Sequence, residues 1–241
     1  MVQELAEKLT QWLGQQLKES GAKGFVCGLS GGIDSAVVAA LIKRVSPDKM
    51  LAIIMPCHSN PQDAKDAMLV AETLKVPYKT VVLDKPFEAM VELLSGEQYN
   101  PEEKNMAIAN IKPRLRMTTL YYHASKLGYL VVGTGNLSEL TMGYFTKHGD
   151  GGVDLLPLGN LVKHQVKELA EYLGVPRPVI EKDPSAGLWS GQTDEKEMGI
   201  TYQQLDKYIL TGQAEEPVKE IVEKHKKNSR HKLRMPALPP K

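Results

Sequence analysis

The stretch Leu29-Ser30-Gly31-Gly32-Ile33-Asp34-Ser35 restricts the fold more than any other part of the chain. A short apolar run at 25–27 precedes it and a helical run at 36–44 follows. Gly31 and Gly32 carry no Cβ, so the backbone can approach an anion closely and take up positive φ. A helix that starts directly after such a turn aims its free N–H groups and positive dipole end at the same spot. Ser30 and Ser35 add hydroxyl donors, and Asp34 adds a carboxylate where a phosphate-bound cation would sit. The pattern differs from the Walker A loop, because no Lys lies between Gly28 and Ser35. It is not G-x-G-x-x-G either. Strand, Gly-rich turn and helix together predict a phosphate cradle.

The same alternation continues downstream. Strand-like runs fall at 25–27, 50–55, 78–83 and 129–132, and helical patterns at 2–19, 33–45, 61–74 and 86–94. A longer helical pattern spans 101–127, where Pro113 must kink or split it. Short apolar strands separated by helices predict an α/β fold, a doubly wound, mostly parallel, Rossmann-like sheet flanked by helices. Ligands of such sheets bind at the carboxyl ends of the strands, where the Gly-Gly turn lies. The pattern changes at 133–159, a Gly-rich loop, and again at 176–199. Long loops inside a compact domain are usually functional. Helical patterns return at 162–173, 202–209 and 217–227, and the tail at 228–241 is basic and Pro-rich. Residues 181–199 and the tail read as mobile without ligands.

Composition removes whole classes of function. The 241 residues carry 30 basic and 29 acidic side chains, so no net field favours nucleic acid or a membrane. Cys27 and Cys57 are too few for a disulfide framework or a metal cage, and buried reduced thiols are expected. No apolar run approaches the ~20 residues of a membrane span. Residues 1–21 carry acids and lack a cleavage-like segment, so no signal peptide is expected. A single cytoplasmic domain over 1–241 is the simplest expectation.

The S-G-G-x-D-S pattern resembles the pyrophosphate loop of the ATP pyrophosphatases. Further blocks narrow the resemblance. They are Gly133-Thr134-Gly135-Asn136-Leu137-Ser138-Glu139, then Gly143-Tyr144-Phe145-Thr146-Lys147-His148-Gly149-Asp150 with Asp154 and Lys163. Asn110-Ile111-Lys112-Pro113-Arg114, Pro184-Ser185 through Trp189, Gly191-Gln192-Thr193-Asp194-Glu195 and His231-Lys232 also match. Over about 5–236 the chain is similar to the ammonia-dependent NAD synthetases, which have the adenine nucleotide α-hydrolase type of fold. The resemblance implies amidation of nicotinic acid adenine dinucleotide (deamido-NAD) by ammonia, with ATP split to AMP and pyrophosphate. Adenylation makes chemical sense, because ammonia will not displace an oxide from a carboxylate.

The resemblance also implies roles. Gly28, Leu29, Ser30, Gly31, Gly32, Ile33, Asp34 and Ser35 would hold ATP, with Thr134, Lys163 and Ser185. Asp34 and Glu139 would bind Mg2+, the expected cofactor. Arg114, Lys147, Asp154, His231 and Lys232 would grip deamido-NAD. Lys163 would act catalytically by neutralising the outer phosphates, and Asp150 would receive a proton from ammonia or orient the ammonium. Thr134 also reads as a helix cap ahead of 137–142, and Arg116 should face away from Arg114. A homodimer with 101–127 near its interface is expected. The chain has no room for an amidohydrolase domain, so free ammonia is the expected nitrogen source, although a separate glutaminase partner is compatible. Two alternatives stand beside this reading: another adenylating enzyme with the same loop, or a non-catalytic adenine-nucleotide-binding module.

Overall fold

The computed structural model describes residues 1–189 and 191–239. Four parallel strands form its sheet: β1 (Gly24–Gly28), β2 (Met50–Ile54), β3 (Tyr78–Thr80) and β4 (Tyr129–Val132), in the order β3-β2-β1-β4. The chain leaves β1 toward β2 on one side and returns to β4 on the other. The crevice above β1 is therefore the switch point where such sheets bind ligands. Leu155 extends the edge by a parallel bridge to Val132, and Gly133 N donates to Leu155 O at 2.8 Å.

Side chains alternate across a strand, so β1 feeds two cores. Phe25 and Cys27 join a cluster with Leu41, Ile54, Leu158 and Val166, whereas Val26 joins Ile53, Phe87, Leu120 and Val131. The first face is covered by α1 (Val2–Ser20) and α2 (Ile33–Val45), with α3 (Pro61–Thr73) beside them. The second face is covered by α4 (Asp84–Ser95), α5 (Met106–Ala109) and α6 (Ile111–Leu127). Next come α7 (Leu137–Met142), α8 (Lys163–Tyr172), α9 (Arg177–Ile180), α10 (Asp194–Met198), α11 (Tyr202–Thr211) and α12 (Glu216–Ser229). A third cluster joins Met142, Met198, Tyr202, Leu205 and Val222, which docks α10, α11 and α12 on α7. No described helix is long and apolar enough to cross a membrane.

Local expectations sharpen against the structure. The 101–127 pattern is split into two helices, as one of the two expected outcomes, but the break falls at Asn110 rather than at Pro113, because Asn105 caps α5 and the chain restarts after Asn110. Pro113 is the third residue of α6, in the turn whose N–H groups have no partner inside the helix, so it bends nothing. The predicted strand 78–83 is regular over Tyr78–Thr80, and its backbone bonding to the β2 side continues through Val81 N to Ile54 O and Leu83 N to Pro56 O. The predicted helix 217–227 instead runs to Ser229 and continues as a 3-10 turn, Arg230–Lys232. Ser229 is buried against Gly143, whose φ of 63° and missing Cβ leave room for it. The chain is thus structured through Lys232. Cys27 and Cys57 are buried and free, and burial pushes their thiols up to about 12 and about 11.

Candidate active site

The turn after β1 folds as its residues predict. Gly31 has φ 81°, and a Cβ there would run into the Asp63 carbonyl of α3. Ser35 Oγ accepts from Ser30 N at 3.1 Å and donates to Gly32 O at 2.9 Å, while Gly32 N donates to Ser30 Oγ at 3.2 Å. These bonds brace the turn from within. Gly32 is the N-cap of α2 and supplies no side-chain acceptor, so the helix start faces the crevice without a cap. That end of α2 is ready to receive an anion.

Three elements bring charge to this spot. Asp34 sits in the first turn of α2, Glu139 in α7 and Lys163 at the start of α8. Lys163 Nζ lies 2.5 Å from Asp34 Oδ2 and 3.5 Å from Glu139 Oε1. Asn136 Nδ2 donates to Asp34 Oδ1 at 2.8 Å. Asn136 also caps α7: its Oδ1 accepts from Glu139 N, and its own N–H donates to Glu139 Oε2. The cap foreseen at Thr134 therefore belongs to Asn136, and Thr134 is half-buried two residues ahead of it. The capping box was legible as Asn-x-x-Glu.

The three charged side chains are only 11–18% exposed. Burial and the neighbouring Asp34 push Glu139 up to about 8, against the pull of Lys163. Burial would lower Lys163, but Asp34 and Glu139 outweigh it and the net shift is upward. Two hard carboxylates beside an anion-ready helix end suit Mg2+, which usually takes one or two protein carboxylates and completes its shell with phosphate and water. Among the described residues no group of three or more His, Cys, Asp or Glu could hold a metal by itself. The donor set therefore fits a cation brought in with a nucleotide.

The other predicted residues are held by contacts of their own, none of them with Asp34, Glu139 or Lys163. Asp150 Oδ1 accepts from Thr146 N at 2.9 Å. Asp150 has exposed surface, yet the loop around its carboxylate desolvates it and pushes it above its usual range, against Thr146 N–H, Arg116 and Lys232. Asp154 accepts from Tyr121 Oη at 2.9 Å and from Val131 N at 2.8 Å. Lys147 Nζ donates to His231 O at 3.0 Å, and Arg114 donates to Lys147 O. Lys232 Nζ donates to the carbonyls of Gly143 and Phe145, both at 2.8 Å. His231 is exposed, and exposed Ser185 accepts from Gly187 N.

Sequence reasoning passed over several neighbours. Arg116 turns away from Arg114, as expected, and reaches the end of β2, donating to Met55 O and Ser59 Oγ. Buried Lys112 donates to Leu188 O, and Lys182 pairs with Asp63 at 2.7 Å and Asp66 at 2.6 Å. Through these contacts Lys182 and Leu188 tie their stretch to α3 and α6. Nothing in the spacing of these residues announced those contacts.

A four-stranded parallel sheet with a capless helix after its Gly-Gly turn, and two carboxylates facing a lysine above it, defines the pyrophosphate-loop class with the adenine nucleotide α-hydrolase fold. The NAD synthase family model matches residues 5–236, and the chain belongs to that family. It is 55% identical over 237 residues to the NH(3)-dependent NAD(+) synthetase of Carboxydothermus hydrogenoformans, covering 98% of this chain and 97% of that one. Among solved structures it is similar to the NMN synthetase of Francisella tularensis, with TM-score 0.93, 40% identity, and 99% and 98% coverage. It is also similar to the NH3-dependent NAD synthetase of Campylobacter jejuni, with TM-score 0.81, 28% identity, and 100% and 99% coverage.

Proposed function

We infer that the chain is a ligase that amidates deamido-NAD to NAD with ammonia, splitting ATP to AMP and pyrophosphate. The observation that carries this reading is the convergence of Asp34, Glu139 and Lys163 above the uncapped start of α2. Residues 28–35 would cradle the ATP phosphates, with Thr134 and Ser185 beside the nucleotide. Lys163 would move from its carboxylate partners to the outer phosphates. Asp34 and Glu139 would hold Mg2+, which when bound neutralises phosphate charge. Transfer of AMP to the acceptor carboxylate turns its oxygen into a leaving group, and ammonia then displaces AMP.

Arg114, Lys147, Asp154, His231 and Lys232 are proposed to surround the acceptor. Asp150 is proposed to take a proton from ammonia or to orient the ammonium. Its raised proton affinity suits that task better than an ordinary carboxylate would. Asp150→Asn should cut the ammonia-dependent rate about 100-fold. A rate near that of the parent across pH 7–9 would remove the role. A homodimer formed across residues 101–127 completes the proposal. Met106 and Tyr122, both exposed on that segment, support it.

The likeness to an NMN synthetase favours a second acceptor, the nicotinic acid mononucleotide. Both acceptors present the same pyridine carboxylate to the same chemistry. The deciding assay supplies Mg-ATP with each acceptor in turn, and ammonium or glutamine, and follows amide product, AMP and pyrophosphate. Amide from deamido-NAD and ammonium is the expected result. Preference for the mononucleotide would support the second reading. Absence of pyrophosphate with either acceptor would refute both.

A further inference from the structure

Asp206 lies in α11, outside every motif that carries the site, and is almost fully buried. A buried carboxylate is costly unless donors reach its oxygens. Asp206 has them. Its Oδ1 accepts from Ser138 Oγ at 2.6 Å and from Lys163 N at 3.4 Å. Its Oδ2 accepts from His164 N at 2.9 Å and lies 3.1 Å from His164 Nδ1. Lys163 N also donates to Ser138 Oγ at 3.1 Å.

These bonds converge on two helix starts. Helix α8 begins after Val162, which has no side-chain acceptor for the first free N–H groups. Asp206 supplies that acceptor from another helix, and its negative charge faces the positive end of the α8 dipole. Through Ser138 the same carboxylate grips α7 one residue before Glu139. Lys163 and Glu139 are the side chains that meet Asp34 above the phosphate turn. A single buried carboxylate therefore fixes the backbone origins of two of the three charged groups.

We propose that Asp206 is a positioning residue for ATP: it caps α8 from a distance, and through Ser138 it sets Lys163 and Glu139 in register over the phosphates. This rests on the reading of Lys163 as the phosphate cation. Charge-assisted bonds are the strong ones, and removing partners of this kind typically costs 10- to 100-fold. Asp206→Asn keeps the shape but loses the charge. It turns an amide N–H toward groups that already donate.

The test measures kcat and KM for Mg-ATP and for the acceptor in Asp206→Asn, Ser138→Ala, Lys163→Ala and the Asp206→Asn/Lys163→Ala double variant. Asp206→Asn should lower kcat/KM for ATP by about 10- to 100-fold and leave the acceptor KM within about twofold. Ser138→Ala, which removes the Ser138 bridge but leaves the direct bonds from Asp206 to α8, should show the same pattern at smaller size and serves if Asp206→Asn folds poorly. In the double variant the loss should be far less than the product of the single losses, because Asp206 acts through Lys163. Fully multiplicative losses, or equal damage to both substrates, would mean general destabilisation and overturn the proposal. A large loss in Lys163→Ala beside a parent-like Asp206→Asn would overturn the positioning alone. A small loss in Lys163→Ala would overturn the phosphate role and the proposal with it.

Discussion

Two groups of charged side chains are held in opposite ways. In the proposed ATP site, Asp34, Glu139 and Lys163 face one another, so the cation and the carboxylates are already paired. Among the proposed acceptor residues, Arg114, Lys147 and Lys232 donate to main-chain carbonyls, and Asp154 accepts from Tyr121 and a backbone N–H. On the proposed reading, the first group would exchange partners when phosphate and metal arrive. The second spends its charged groups on holding a glycine-rich loop and the chain end in shape. The charges of the first group stand on helix starts, whereas the second ties a glycine-rich loop to α6, β4 and the turn after α12. A paired but exchangeable cluster suits a polyanion. A braced loop suits recognition of a larger, shaped ligand.

The comparison is broken most directly at Lys163. Lys163→Ala should lower kcat/KM for ATP by about 100- to 1,000-fold, because it removes a preorganised cation that faces developing phosphate charge. Steady-state kinetics with ATP varied at saturating acceptor would read this, and a loss below tenfold would put the cation elsewhere. On the acceptor side the expected damage is of another kind. Lys232→Met leaves the Gly143 and Phe145 carbonyls without their donor, at a cost of about 1–3 kcal/mol. Melting should fall by about 2–4 °C per kcal/mol for a chain of this size. The acceptor KM should rise, by about tenfold at most, while the ATP KM stays put. An unchanged melting temperature would mean that Lys232 does not brace the loop.

The smallest effect sharpens the contrast through pH. Burial and the neighbouring Asp34 push Glu139 up to about 8, from an ordinary value of 4.5. Its folded form therefore holds a proton that the unfolded chain releases. The corresponding stability is fully present below about 4.5 and is lost as pH rises through about 8. The proposed Mg2+ role of Glu139 needs the ionised carboxylate, so on that reading Mg-ATP affinity should rise a few-fold between pH 7 and 9. Glu139→Gln should flatten that rise, and acceptor binding should not follow it. Calorimetric titration of Mg-ATP at three pH values would decide between these outcomes. A rise that survives in Glu139→Gln would assign the titration to another group.

The division between the two groups also marks where sequence reading stopped. The Gly-Gly turn, Asp34 and the strand and helix around them were legible because each depends on local chemistry: a Cβ-free turn, a dipole, a two-residue alternation. Asn136 was equally legible as the cap of α7, since Asn-x-x-Glu is a local signal, although Thr134 drew the reading first. Pro113 drew the expected split to itself, whereas the break falls at Asn110 and Pro113 sits in a first turn, where the rule against helix interiors does not apply. The partners of Lys232 and Lys182 had no local sign. Each meets groups about 90 to 120 residues away in sequence.

The sequence by itself determined the alternating sheet, the phosphate turn and, through its blocks of residues, the family. Tertiary structure alone decided which charges meet. Lys163 reaches Asp34 across 129 positions, and Asp206 reaches Ser138 across 68. The physical reason is range: turns, caps and periodicity act within a few residues, whereas a buried ion pair forms only where packed elements bring distant backbones within hydrogen-bond reach.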